Sequence, residues 1–169
     1  MYSYPGITYQ NGPGGRGRSQ FPTYWDMQVT DDGRGRNLAY LQSEELFQRI
    51  KRMEEANLIV PVIGNFGGPK AIRAVGAWVR EHGATVTTFY TSNVEQYLFQ
   101  DNIWREYYTN VATLPLDGSS RFIRSAFNMG GFGGGAVRSA QLTCGIQELL
   151  TAFNAGKINS YYDVLNLSR

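Results

Sequence analysis

One stretch limits this chain more than any other: Leu58 to Asn93, LIVPVIGNFGGPKAIRAVGAWVREHGATVTTFYTSN. Leu58-Ile59-Val60-Pro61-Val62-Ile63 is an apolar, β-branched run of the length of a buried strand. Pro61 cannot donate to a ladder and favours an edge or a bulge. Gly64-Asn65-Phe66-Gly67-Gly68 breaks the run, and Pro69 stands where a helix accepts its first residue. Ala71, Ile72, Val75, Trp78 and Val79 then recur at helical spacing as one apolar face, which His82 and Gly83 end. Thr85 to Tyr90 is β-branched and aromatic, and Ser92-Asn93-Val94-Glu95 has the pattern of a capping box opening a further helix. The whole reads as strand, turn, helix, strand: one βαβ unit.

Around it the chain reads in four parts. Residues 1–20, rich in tyrosine, glycine and arginine, lack any period and read as a flexible arm. Residues 21–127 read as an α/β domain, opened by the aromatic segment Phe21 to Met27 and the polar turn Asp31 to Asn37. Ser43 caps a helix with Glu44 and Glu45 in its first turn, and Leu46, Phe47, Ile50 and Met53 form its expected buried face. After the βαβ unit come short helices at Val94 to Phe99 and Asp101 to Tyr108, then a third strand expected at Asn110 to Pro115. Asp117 to Ser120 form a turn before Arg121 to Phe127. Residues 128–138, with five glycines, read as a connector. Residues 139–169 read as a helical segment, led by Leu142, Ile146, Leu149, Leu150 and Phe153 at helical spacing over Gln141 to Ala155.

Strands separated by helices predict an α/β fold with right-handed crossovers, a mostly parallel sheet and cover on both faces. Three strands are few for a doubly wound domain. The expectation is therefore a partial Rossmann-like, three-layer sandwich lacking its first strands, completed by an amino-terminal half of the same protein or by a second copy.

With 169 residues and a net charge of +2, the chain has one domain's length and no charge pattern calling for nucleic acid or an anionic membrane. No run of about 18 apolar residues exists, and the first residues lack a signal-peptide pattern, so the expected location is cytoplasmic. Cys144 is the only cysteine, which excludes an internal disulfide and a cysteine-based zinc site within one chain; its spacing from Leu142 and Ile146 suits a small core residue. No carboxylate pair, triad or metal cluster stands out, so no catalytic residue is assigned.

Ligands of parallel sheets bind beyond the carboxyl ends of the strands. That rule selects Gly64, Asn65, Phe66, Gly67, Gly68 and Lys70 in the first turn, Ser92 and Asn93 after the next strand, and Asp117 after the third. A glycine-rich turn entering a helix exposes N–H groups that favour an anion, and Lys70 adds charge. The same glycines also suit a tight turn and close helix packing. The turn is neither a P-loop nor a GxGxxG fingerprint.

FPTYWDMQVTDDGRGRNLAYLQSEELF, NLIVPVIGNFGGPKAIRAVGAWVREHGATVTTFYTSNVEQYLF and YYTNVATLPLDGSSRFIRS resemble the carboxy-terminal half of an uncharacterised bacterial family described as S-adenosylmethionine-dependent methyltransferase-like. SNVEQYLF is the most specific piece. The resemblance implies full members roughly twice this length, whose amino-terminal half carries the first strands and the cofactor turn. It places Gly64 to Pro69 beside a methyl-transfer site, with Asn65 orienting the acceptor and Phe66 packing on it. The turn is superficially like the asparagine-proline-proline-aromatic motif of amino-methylating enzymes. It departs from that motif by its glycines and by an aromatic directly after the asparagine. Relatives carry aspartate where this chain has Asn65. The implied cofactor is S-adenosylmethionine and the implied partner a small molecule; the alternatives are a non-catalytic nucleotide- or anion-binding module and a structural module associating through its sheet edge.

Overall fold

In the amino-terminal part, side chains close the local structure much as the sequence reading expects. The computed structural model describes residues 28–29, 31–37, 39–127 and 139–168. The arm, the aromatic segment Phe21 to Met27 and the connector 128–138 lie outside the described residues. The chain divides between Pro61 and Val62 into two units. In the first, Asp31 accepts from the Gly33 N–H at 2.7 Å and Asp32 pairs with Arg36 at 2.6 Å, closing the polar turn. Helix α1 spans Glu44–Glu55, with the Ser43 hydroxyl accepting from the Leu46 N–H at 3.3 Å. None of its residues is fully buried: Leu46, Ile50 and Met53 are half-buried and Phe47 is exposed, so the expected buried face is only partly covered among the described residues.

After α1 comes a departure from the reading above. Leu58 to Ile63 forms no strand, and Leu58, Val60 and Ile63 are 69%, 61% and 103% exposed. A strand without a hydrogen-bonded neighbour is not a strand, and nothing in this sheet pairs with the segment. Helix α2 spans Ala71–Glu81, so its first residue is Ala71 rather than the expected Pro69, with Lys70 at its N-cap and Gly83 at φ +63° just past its end. Only Ile72 and Gly76 of its face are buried, while Val75 and Trp78 are exposed. Gly76 is where the helix packs closest: an added Cβ would stand 3.1 Å from Leu114 and 3.2 Å from the Thr113 carbonyl.

Strand β1 is Thr88–Ser92, followed by α3 (Val94–Gln100) and α4 (Trp104–Val111). The expected strand at Asn110 to Pro115 is instead the end of α4 and its exit turn, because Trp104, Tyr107, Tyr108 and Val111 are buried at helical spacing. Strand β2 is Arg121–Phe127 and β3 is Ser139–Gly145, preceding α5 (Ile146–Asn154) and α6 (Tyr161–Asn166). The carboxy-terminal segment is thus not purely helical: its helix starts at Ile146, five residues after the expected Gln141. The sheet order is β1-β2-β3, with β2 parallel to β1 and β3 antiparallel to β2. The sheet is mixed, not mostly parallel.

Two-residue alternation divides the sheet into unlike faces. Phe89, Phe122 and Cys144 point into one core with Tyr107, Tyr108, Ile146, Leu149 and Val164 from the helices. Thr88, Tyr90, Arg121, Gln141 and Thr143 alternate with them and are exposed. Within Val62–Arg169 this is a helix layer on one face of a small sheet, not the expected three-layer sandwich. A polar outer face is what an antiparallel pairing tolerates. Among the described residues no helix is long and apolar enough to cross a membrane.

Candidate functional site

The glycine-rich turn is held rigidly by its own backbone and by one buried side chain. Asn65 Oδ1 accepts from the Gly67 N–H at 2.9 Å, and the Asn65 carbonyl accepts from the Gly68 N–H at 3.0 Å. Asn110, 1% exposed, donates from Nδ2 to the carbonyls of Phe66 and Gly68 at 3.0 Å and 2.8 Å, and its Oδ1 accepts from Arg73 Nε at 2.7 Å. A Cβ at Gly64 would collide with that of Ala71, and one at Gly67 or Gly68 would come within 3.2 Å of Ile103 or Asn65. These glycines therefore serve close packing, whatever else they do.

Phe66 faces inward. Its ring lies 6.4 Å from Phe89 and 6.1 Å from Tyr107, on the helix-covered side of β1. Phe66 is half-buried and also borders an open hollow of about 280 Å³. Asn65 and Lys70 are exposed on the turn. Next to Gly67 and Pro69 a hollow of about 330 Å³ is lined by Arg73, Arg105, Glu106, Thr109 and Asn110.

Ser92 and Asn93 occupy the carboxyl end of β1, but not as a capping box. Asn93 is the N-cap of α3 without a side-chain bond, and Ser92 takes φ +51°. Glu95, the expected reciprocal partner, turns instead into the core. Its carboxylate accepts from Arg124 Nε, from Arg124 Nη2 at 3.0 Å, from the Tyr108 hydroxyl at 2.8 Å and from Thr91 at 3.2 Å. Arg124 is fully buried and also donates to Cys144 Sγ at 2.9 Å and Ser168 at 3.2 Å. Burial opposes the guanidinium's charge, yet the Glu95 carboxylate outweighs it and holds the Arg124 pKa above its usual value. Burial, and then Glu95, push the hydroxyls of Tyr107 and Tyr108 far above the ordinary tyrosine range. Composition hints at none of this: the signal was an arginine at an inward position of β2.

Asp117 stands at the other end of the sheet, because Leu116 to Ser120 precede β2 rather than follow a strand. Its carboxylate accepts from the Ser119 hydroxyl at 2.6 Å and the Ser119 N–H at 2.7 Å, which hold its pKa below the usual carboxylate value. That favours a turn role over proton acceptance. It lines a polar hollow of about 560 Å³ with Arg121, Cys144, Gln147, Glu148 and Asn166. The nine candidate residues thus fall into three separate places.

A polar row that the sequence reading missed crosses the open face near the carboxyl ends of β1 and β2. The Tyr90 hydroxyl hydrogen-bonds with Ser125 Oγ at 3.1 Å, and Gln141 Nε2 donates to the same Ser125 at 2.8 Å. Hydrogen bonds from Ser125 and then Ser92 hold the Tyr90 pKa below the ordinary value, although Tyr90 is 59% exposed. No group of histidine, cysteine, aspartate or glutamate among the described residues is arranged to hold a metal ion.

A family model described as a domain of unknown function, DUF7790, matches residues 15–149. The chain belongs to the DUF7790 family. In DUF7790 terms, the turn, the Tyr90 row and the Glu95–Arg124 pair all fall inside the matched residues, while α6 lies beyond them. No curated protein matches the chain.

Proposed function

We propose that the chain is a Rossmann-like, methyltransferase-like unit that binds a small molecule across the carboxyl ends of β1 and β2, with S-adenosylmethionine as the methyl donor. The observation that carries this reading is the row of Tyr90, Ser125 and Gln141, with Ser92 beside it, on the open face at that edge. Ligands of α/β sheets gather at such edges. A phenol whose pKa is lowered, hydrogen-bonded between two serines, offers a donor and an acceptor that a ligand can engage without rearrangement. The turn Gly64 to Gly68 departs from a pyrophosphate fingerprint, so the adenosine part of the donor falls to an amino-terminal half of the same protein. Methyl transfer asks mainly for in-line placement: the acceptor's lone pair forms the new bond as the carbon–sulfur bond breaks. Positioning alone supplies much of such a rate.

The test is calorimetric titration with S-adenosylmethionine of the chain, its mass established by light scattering, alone and with the amino-terminal half added. Saturable one-site binding is expected in the presence of that half, and Tyr90→Phe weakens it by about threefold to tenfold, the worth of one net hydrogen bond. A folded chain that binds nothing under either condition sinks the reading. Binding without methyl transfer to any acceptor favours a non-catalytic module at the same edge.

A further inference from the structure

Two arginines in Val62–Arg169 differ from their neighbours in how their donors are used. Arg80 and Arg121 donate to backbone carbonyls, and Arg124 donates to Glu95, Cys144 and Ser168. Arg73 is bonded only through Nε, to Asn110 Oδ1 at 2.7 Å, which aligns its guanidinium and leaves both Nη groups open. Arg105 lays its guanidinium over the Trp104 ring, 4.1 Å from the centroid, a contact that uses none of its N–H donors. Among the described residues no carboxylate lies within ion-pair distance of either arginine. Yet both line one hollow of about 330 Å³, beside Gly67, Pro69 and the buried Asn110.

We infer that this hollow binds a phosphate-type oxyanion, free or as the monoester end of a small molecule. A guanidinium presents its donors as a rigid fork that matches such oxygens, and stacking on an aromatic ring leaves the edge of the fork free. One fork satisfies the two oxygens of a carboxylate, whereas the three or four of a phosphate engage two forks. Arg73 is held in advance by Asn110, which is itself fixed by the Phe66 and Gly68 carbonyls that accept from it. Pro69 directly precedes Lys70, the N-cap of α2, whose side chain bonds no helix N–H, so the positive end of α2 adds to the field. The turn itself is not the binder, because the Gly67 and Gly68 N–H groups already donate to Asn65. Thr109 adds no donor, since its hydroxyl donates to the Arg105 carbonyl at 2.8 Å. Two guanidiniums against the Glu106 carboxylate leave the lining with a net charge of +1. The hollow stands at the small end of ligand cavities, which suits a small anion. The inference goes beyond the ligand reading above, which concerns the Tyr90 edge, and does not depend on it.

The experiment is an amide NMR titration of the full chain with inorganic phosphate, glycerol 3-phosphate, acetate and potassium chloride, all at matched ionic strength. Expected are saturable shifts at Gly67, Arg73, Arg105 and Thr109 with the two phosphates, and none with acetate or chloride. Tighter binding of glycerol 3-phosphate assigns the site to phosphate esters, and equal or weaker binding assigns it to the free ion. Arg73→Gln and Arg105→Gln should each weaken phosphate binding about tenfold, the worth of one charge-assisted hydrogen bond. Glu106→Gln should tighten it about twofold to fivefold, the worth of one exposed charge interaction. Arg105→Gln removes no hydrogen bond of the fold, and unchanged amide shifts at Ile123 and Thr143 verify that each variant is folded. A folded chain with no saturable shift, or with acetate binding as well as phosphate, overturns the inference. Weaker phosphate binding in Glu106→Gln also overturns it, because a like charge on the hollow can only oppose the anion. So does a larger loss in Lys70→Gln than in Arg105→Gln, which would return the anion to the turn.

Discussion

Glu95 and Arg124 place opposite charges at the centre of an aromatic core, at 1% and 0% exposure. Removing either partner strands the other, which typically costs about 3–5 kcal/mol, whereas replacing both with apolar residues of similar volume is often neutral. Urea denaturation should therefore rank Glu95→Leu and Arg124→Met each as severe, and the double variant as milder than either. Single variants within about 1 kcal/mol of the parent would show that the pair is not buried in solution. Tyr107 and Tyr108 make a second prediction. Their folded pKa values are raised, by burial first, so their stabilisation is complete below the unfolded tyrosine pKa of about 10 and is lost as pH rises above it. Above that pH the unfolded chain ionises both tyrosines while the folded chain keeps both protons. Stability should fall by about 1.4 kcal/mol per pH unit for each, and Tyr108→Phe should make the decline shallower. An unchanged slope in that variant would remove Tyr108 from the account.

At the scale of the element, packing overrode local patterns where the two competed. Ser92 to Glu95 has the spacing of a capping box, but a carboxylate gains more from a buried guanidinium than from one N–H at a helix start. Leu142 and Ile146 share helical spacing, yet Ala140, Leu142 and Cys144 alternate with Gln141 and Thr143, and the period of two prevailed because β2 offered a ladder. Where no tertiary partner competed, patterns held: Ser43 capped α1, and Gly83 ended α2 in the left-handed region. Three substitutions test the packing at this scale. Gly76→Val should cost about 1–3 kcal/mol through its clash with Leu114 and the Thr113 carbonyl. Gly118→Ala, with open space around it and no left-handed backbone, should be near neutral. Asn110→Ala should cost about 1–3 kcal/mol, because it leaves the Phe66 and Gly68 carbonyls without their donor. Thermal melts compare all three, and an Asn110→Ala protein as stable as the parent would show that the turn does not need its pin.

For the whole molecule, the sequence by itself determined which segments carry apolar periodicity. Helices α1, α2 and the region of α3 and α4 lie where that periodicity put them. It also isolated the Gly64 to Gly68 turn as a tight feature, which the collisions at those glycines bear out. Only the tertiary structure decided which apolar runs obtain partners. Leu58–Ile63 and Thr88–Ser92 look equally strand-like in sequence, but a strand exists through hydrogen bonds to a neighbour, and only the second has one here. Tertiary structure likewise decided the direction of β3, the one-sided helix layer and the separation of Asp117 from Ser92. The Tyr90 row and the Glu95–Arg124 pair were equally out of reach of the sequence. Tyr90 and Ser125 stand 35 positions apart, Ser125 and Gln141 16, and Glu95 and Arg124 29, all joined through contacts of about 3 Å, and no local propensity encodes where a distant strand will set its side chains down.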